Sequence, residues 1–168
     1  AMAASYAAYL TFANGDSDGL RDQAMYRNFR WLRERWPKGM RIVVWSASVH
    51  AAKSLPGGTR PFGSYVHAEL GDRAAAIGFS ALSGHYGNVG GRRAPQPLAP
   101  AAPGSLEARA FAGAGTGDLR YLDHAQLQAL GTVPGRALDY ANTQTLDWSQ
   151  LLDGVIVLRE ERAAQPAP

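Results

Sequence analysis

The chain has 168 residues, enough for one domain with a hydrophobic core, and no cysteine, which excludes disulfides, thiolate metal sites and a cysteine nucleophile. Its net charge of +3 comes from 17 basic and 14 acidic side chains that are spread along the sequence, so we expect no nucleic-acid partner. No apolar run approaches the roughly 18 residues of a membrane helix, so we expect no membrane partner. Composition leaves the compartment open, and the cytoplasm is favoured.

Two helices are predicted before residue 40. The first covers Ala1 to Phe12, where helix formers and aromatic residues recur at helical spacing. The second runs from about Gly19 to Trp36, because polar N-cap residues precede it and a Pro-Lys-Gly sequence follows it. Its apolar side chains fall on one predicted stripe: Met25, Phe29, Leu32 and Trp36.

Three buried strands are predicted, each from a short apolar run that is rich in β-branched residues or alanine. They cover Arg41 to Trp45, Ala74 to Phe79 and Gly154 to Leu158. A polar loop, Ser46 to Thr59, and a helix, Phe62 to Leu70, separate the first two strands. Alternating helices and strands with short joints predict an α/β fold, namely a mostly parallel sheet with flanking helices.

Shorter elements are predicted between the second and third strands. Residues 80–89 either extend the second strand or form a hairpin. The others are a loop at Gly90 to Pro103, a helix at Ser105 to Phe111, a strand at Leu119 to Leu122, a helical turn from Asp123 or His124 to Leu130, an edge segment at Arg136 to Tyr140 and a helical turn at Trp148 to Leu152. We predict one α/β domain over residues 1–162 and a disordered tail over residues 163–168.

The carboxyl ends of the predicted strands indicate where a ligand would bind, because open parallel sheets bind ligands beyond that edge. The segments at this edge are residues 46–53, 80–88 and 159–162, and the first two contain His50 and His85. A histidine at this position can act as a general base, a transition-state stabiliser or a metal ligand. The alternative for His50 is a loop histidine that is hydrogen-bonded to backbone.

Arg21 is a second candidate, because it opens the second helix beside Asp22 and can reach a ligand oxyanion from there. The alternative is an ion pair within the first helical turn. For His85, contact with a substrate competes with an ordinary position in a surface loop. The four histidines lack metal-type spacing, so we predict neither a metal nor another cofactor.

Six segments, in order along nearly the whole chain, are similar to a known family. They are Arg21-Asp22-Gln-Ala-Met25-Tyr-Arg-Asn28-Phe-Arg-Trp31-Leu32, Ile42-Val-Val-Trp45-Ser-Ala-Ser-Val-His50, Gly63-Ser64-Tyr65-Val66, Ala76-Ile-Gly-Phe79, Pro103-Gly-Ser-Leu-Glu107 and Leu151-Leu-Asp-Gly-Val-Ile-Val157. This ordered set resembles the erythromycin esterase family. ChaN-like haem-uptake proteins of the same broader superfamily share the Arg-Asp helix more distantly.

The resemblance implies a bacterial, metal-independent α/β hydrolase, linked to antibiotic resistance, that cleaves a cyclic or other carboxylic ester with water activated by a histidine. It also implies that this chain is the later part of the family's fold and that the principal base lies in an earlier region. His50 matches the second histidine of the family's loop, whereas Ala47 stands where the first is expected and Ser48 where asparagine is expected. The predicted site therefore has His50 as its catalytic residue, and its substrate-binding residues are Arg21, Trp45, Ser48 and His85.

Three functions remain open. The first is an esterase-type hydrolase that acts on a small-molecule ester when the N-terminal half of the fold is supplied. The second is a non-catalytic ligand-binding domain that kept the fold and lost catalytic residues. The third is an incomplete chain whose exposed apolar face forms a homodimer or associates with the N-terminal half.

Overall fold

The computed structural model describes residues 18–87, 94–113 and 115–163. The chain divides into two compact units, Ala1–Ala76 and Ile77–Pro168. The predicted helix at Ala1 to Phe12 and the predicted tail after Ala163 lie outside the described residues, as does part of the predicted loop at Gly90 to Pro103.

The described part of the first unit is helical. Its elements are α1 (Asp18–Arg33), α2 (Ser48–Ala51), α3 (Phe62–Leu70) and two 3₁₀ turns, Pro56–Gly58 and Gly71–Arg73. Both α1 and α2 pack against α3. The helix predicted at Phe62 to Leu70 has those bounds in the structure, and α1 ends at Arg33, before the predicted end at Trp36.

The face of α1 that packs on α3 differs from the predicted apolar stripe. Tyr26 stacks on Tyr65 with 5.3 Å between the ring centroids, and Phe29 meets Phe62 edge-on at 5.8 Å. Two members of the predicted stripe are substantially exposed instead: Leu32 at 40% and Trp36 at 37%. Helix α1 is packed on α3 through the face that carries aromatic rings, because α3 presents aromatic rings to it. The hydrophobicity of α1 alone does not show which of its faces is buried.

The prediction of a buried strand from Arg41 to Trp45 is wrong. Residues 41–47 form neither helix nor strand, and Val43 and Trp45 are 88% and 81% exposed. A strand is stabilised by backbone hydrogen bonds to a neighbouring strand. The strands of the described residues pair with one another and leave this segment outside both sheets. His50 is therefore positioned by a helix, α2, and the loop predicted from Ser46 to Thr59 is partly helical.

The second unit contains a mixed sheet and a separate strand pair. The strands are β1 (Ile77–Tyr86), β2 (Gln96–Pro97), β3 (Leu119–Asp123), β4 (Thr132–Gly135), β5 (Gln144–Asp147) and β6 (Gly154–Glu161). In the four-stranded sheet the order is β2-β1-β6-β3, with β1 and β6 parallel and both outer strands antiparallel to their neighbours. The antiparallel pair is β4 with β5.

Short helices flank this sheet, which confirms the α/β class. They are α4 (Leu106–Ala110), α5 (His124–Leu130) and α6 (Trp148–Leu151). Helix α4 packs against β1 and β3, and α5 packs against β3. Each helix starts where a polar side chain caps it, since Ser105 accepts from the Ala108 N–H and Asp123 accepts from the Gln126 N–H.

Two predicted segments have different roles in the second unit. Residues 80–86 belong to β1, so the strand extends and the predicted ligand-binding loop after residue 79 is mostly strand. The predicted edge segment at Arg136 to Tyr140 is unpaired, because pairing takes place on either side of it, in β4 and β5. Arg136 is 3% exposed and donates from its backbone N–H to Glu107 Oε1 at 2.9 Å, which uses the group that a strand would need.

Candidate active site

Asp22 and His50 form a buried polar contact in the first unit. The Nδ1 atom of His50, on α2, lies 2.9 Å from Oδ1 of Asp22, on α1. The same Oδ1 accepts a hydrogen bond of 2.7 Å from the backbone N–H of Phe62, the first residue of α3. Asp22 is 5% exposed, so water competes little for its carboxylate. The Oδ1 atom of Asp22, on α1, thus contacts one residue of α2 and one residue of α3.

The backbone around α2 explains how His50 reaches this position. The carbonyl of Ala47 accepts from the N–H groups of His50, at 2.9 Å, and Ala51, at 3.2 Å, which forms the single turn of α2. Gly63, in the first turn of α3, faces the end of α2, and a Cβ atom at this position would collide with the backbone oxygens of Ala51 and Ala52. The missing side chain of Gly63 therefore permits the close approach of α2 and α3.

A cavity of about 280 Å³ opens beside the Asp22–His50 contact. Its lining combines charged and polar side chains with an apolar wall: Arg21, Asp22, Val49, His50, Leu55, Pro56 and Thr59. The His50 side chain is 17% exposed, which places an imidazole at the boundary between the buried carboxylate and the cavity. Ligand sites characteristically combine an apolar wall with a few convergent polar groups.

The chemistry of these groups suits proton transfer and the binding of an oxyanion. One nitrogen of His50 contacts Asp22, and the second is left to accept or donate a proton. Arg21 is exposed at the cavity and carries a guanidinium, whose N–H groups bind carboxylate and oxyanion oxygens. A polarised ester carbonyl would find both kinds of group in one place.

The structure brings together two of the predicted site residues, His50 and Arg21, in the wall of this cavity. Trp45 lies in the irregular segment before α2, and Ser48 is the first residue of α2, but neither is among the described residues that line the cavity. His85 is an exposed residue of β1 in the second unit, opposite Pro97 of β2. Substrate binding by these three residues stays a prediction.

Asp22 is the member of the site that was not among the predicted site residues. A signal for its burial is nevertheless present in the helix periodicity. Asp22, Tyr26 and Phe29 follow one another at spacings of four and three, which places them on one face of α1. Because Tyr26 and Phe29 pack against α3, an acidic residue on that face must be buried and needs a hydrogen-bond donor.

Neither a metal centre nor a membrane span is found in the part of the chain that the structure describes. Within residues 18–87, 94–113 and 115–163, no three His, Asp or Glu side chains cluster in a way that could hold a metal ion. No helix among these residues has the length and apolarity needed to cross a bilayer.

Comparisons with known proteins agree with this architecture. The erythromycin esterase family matches residues 1–160. The solved structure of an erythromycin esterase EreC, with a histidine replaced by asparagine and in its open conformation, has a TM-score of 0.62 and 17% identity over 90% of this chain and 40% of that chain. No curated protein matches the chain.

Two further solved structures share the fold. A Bacillus cereus protein has a TM-score of 0.67 and 19% identity, and it covers 84% of this chain and 38% of its own. A succinoglycan biosynthesis protein has a TM-score of 0.64 and 15% identity, with the same two coverages of 84% and 38%. The chain thus spans about 40% of the length of these solved proteins.

Proposed function

The chain belongs to the erythromycin esterase family, and from this premise we propose that it takes part in the hydrolysis of a carboxylic ester by water, with His50 as its catalytic residue. Because the chain spans about 40% of the solved relatives, we propose that full activity needs the remainder of the family's fold. The substrate is a small-molecule ester, either a macrocyclic lactone or an open-chain ester.

The observation that carries this proposal is the position of His50 between a buried carboxylate and a cavity. Imidazole is the side chain best suited to move protons near neutral pH. A histidine that only supports the fold does not need access to a cavity. The exposed 17% of its side chain lets the ring act on a bound molecule while Asp22 holds its other edge.

Ester hydrolysis sets two requirements that these residues can meet. Water must lose a proton as its oxygen attacks the carbonyl carbon. The resemblance implies a principal base in an earlier region of the fold, and His50 can assist this proton transfer or orient the ester. Negative charge then develops on the carbonyl oxygen, and the guanidinium of Arg21, a residue that lines the same cavity, can stabilise this charge. When the tetrahedral intermediate collapses, a proton returns to the leaving alkoxide oxygen, so protons and electrons balance without a metal or redox partner.

A second function, ligand binding without catalysis, is favoured by one observation. Ala47 occupies the position where the family's first loop histidine is expected, and its side chain can neither carry a proton nor form a hydrogen bond. In the structure Ala47 contributes only its backbone carbonyl to α2. In this alternative the cavity binds the ester and releases it unchanged.

The test compares His50→Gln with the unsubstituted protein in hydrolysis of a panel of p-nitrophenyl esters and macrolide lactones, with the remainder of the fold supplied. We expect kcat/KM to fall by about 10²- to 10⁴-fold, the range for loss of a general acid or base. His124→Gln, in the second unit, is the matched control and should keep full activity. Equal rates for His50→Gln and the unsubstituted protein would exclude His50 from the mechanism. Ligand binding in a thermal-shift assay without turnover would favour the second function.

A further inference from the structure

We infer that Asp22 is a positioning residue that selects one tautomer of His50. In this arrangement the proton of neutral His50 lies on Nδ1, towards Asp22, and the lone pair of Nε2 is presented to the cavity. The catalytic consequence rests on the proposed function, whereas the tautomer is a property of the protein without substrate. In this tautomer Nε2 of neutral His50 can accept a proton from a group in the cavity but cannot donate one.

Asp22 accepts a backbone hydrogen bond at the start of α3. Its Oδ1 accepts from the Phe62 N–H at 2.7 Å, a short distance for a bond from nitrogen and typical of a charged acceptor. Phe62 begins α3, whose own N-cap residue, Pro61, has no side-chain hydrogen bond to offer. The N-terminus of a helix carries partial positive charge and unpaired N–H groups. Asp22 therefore caps α3 from another helix.

The proton between Asp22 and His50 lies on the imidazole. A carboxylate has only acceptor oxygens, and a hydrogen bond needs one donor. At 2.9 Å the Asp22–His50 contact is a hydrogen bond, so its proton must be on Nδ1 of His50. In a neutral imidazole the other nitrogen is then unprotonated and can only accept.

The arrangement of Asp22 and His50 is rigid. Asp22 is 5% exposed, so the direct contact does not compete with bulk water. It is tied to α3 by the Phe62 N–H, while α2, which carries His50, is held against α3 by the close approach at Gly63. Donor and acceptor therefore sit on elements that pack on the same helix, and the imidazole cannot rotate without breaking the bond to Asp22.

The test is a long-range ¹H–¹⁵N NMR spectrum of the uniformly labelled protein, at a pH where the imidazoles are neutral. The ring signals of His50 are assigned by their loss in His50→Gln. We expect a protonated, pyrrole-type Nδ1 and an unprotonated, pyridine-type Nε2. An Nε2–H tautomer in the unsubstituted protein overturns the inference. Because no substrate is present, this outcome is independent of whether the protein hydrolyses esters.

Two variants extend the test to function. Asp22→Ala should move the His50 tautomers towards a mixture and lower kcat by about 10- to 100-fold, as is typical when the partner of an active histidine is removed. KM should stay unchanged, because Asp22 orients His50 rather than the ester. Asp22→Glu keeps the carboxylate and should restore part of the Nδ1–H population. If Asp22→Ala does not fold, the spectrum of the unsubstituted protein still decides the tautomer.

Discussion

Each of the two units buries a carboxylate that accepts two hydrogen bonds through a single oxygen. In the first unit Asp22 accepts from an imidazole and from a backbone N–H. In the second unit Glu107 Oε1 accepts from the Ser80 hydroxyl at 2.6 Å and from the Arg136 backbone N–H at 2.9 Å. Asp22 is 5% exposed and Glu107 is 1% exposed, so both carboxylates depend on protein donors.

The difference lies in the side chain that each carboxylate holds. Ser80 is fully buried, so its contact with Glu107 can only stabilise the fold of the second unit. His50 keeps part of its ring at a cavity, so its contact with Asp22 can also direct chemistry. The two carboxylates therefore form similar hydrogen bonds but have different roles. Glu107 holds a buried serine and is structural, whereas Asp22 holds a histidine that reaches a cavity and is the candidate functional residue.

The largest stability effect should come from Glu107→Ala. This change leaves the Ser80 hydroxyl and the Arg136 N–H buried without their acceptor, and each such group costs about 1–3 kcal/mol. We expect the free energy of unfolding to fall by about 3 kcal/mol, as measured by urea denaturation. Glu107→Gln is the control, because it keeps an acceptor oxygen and should cost clearly less. If Glu107→Ala lowered the free energy of unfolding by less than about 1 kcal/mol, Glu107 would not have the structural role described above.

Several elements were predicted correctly from the sequence because their signals are local. Helix α3 ends at Leu70, as predicted, and the next residue, Gly71, has a φ of +53°, a conformation that glycine adopts easily. The apolar run at Gly154 to Leu158 lies within β6, and Ser105, where a helix was predicted to start, caps α4. In these cases the residues that define an element lie inside it or directly beside it.

The features that the sequence did not predict correctly depend on residues that are distant along the chain. The run from Arg41 to Trp45 has the composition of a buried strand, but composition cannot supply the neighbouring strand on which pairing depends. The partner of His50 lies 28 residues away in sequence, and the Phe62 N–H that completes the contact lies 40 residues from Asp22. The sequence singles out His50 as a candidate, whereas its contact with Asp22 depends on how α1 and α2 pack on α3.

The next largest effect should come from Gly63→Ala, which tests the packing that supports the functional carboxylate. The added Cβ would meet backbone atoms of Ala51 and Ala52, which cannot move aside as a flexible side chain can. We expect α2 to shift away from α3, with a loss of about 1–3 kcal/mol in the free energy of unfolding, the usual cost of overpacking. The ring ¹⁵N signals of His50 should shift as its bond to Asp22 lengthens.

The matched control for this change is Gly19→Ala in α1, where no atom lies within 4 Å of the new Cβ. Alanine favours the helix over glycine by up to about 1 kcal/mol, so this variant should be neutral or slightly stabilised. Its His50 signals should stay unchanged. Unchanged His50 signals in Gly63→Ala would instead show that the close approach of α2 and α3 does not position the histidine.

The smallest effect concerns Glu69, a partly exposed carboxylate that completes the comparison with the two buried ones. Glu69 accepts a hydrogen bond from the Tyr26 hydroxyl and forms an ion pair with Arg33. The Tyr26 hydrogen bond is the main cause that lowers the pKa of Glu69 below its ordinary 4.5. The same bond is the main cause that raises the pKa of Tyr26 above its ordinary 10.0.

These two directions fix the pH range in which the contact stabilises the fold. Because the pKa of Glu69 is lower in the folded state, its contribution is complete above about pH 4.5 and is lost as pH falls through the folded pKa. Because the pKa of Tyr26 is higher in the folded state, its contribution is complete below about pH 10 and is lost as pH rises through the folded pKa. The Glu69 side chain is 27% exposed, so solvent screening limits the contribution to about 0.2–1 kcal/mol.

Glu69→Gln should therefore flatten the acid side of the stability profile, measured as the free energy of unfolding in urea between about pH 3 and 7. Tyr26→Phe removes the hydroxyl that donates to Glu69 and keeps the ring that stacks on Tyr65. It should therefore also reduce the dependence of the free energy of unfolding on pH in this acid range. An unchanged acid slope in both variants would contradict the assignment. A change as large as that of Glu107→Ala would show that an exposed carboxylate can stabilise this fold as much as a buried one.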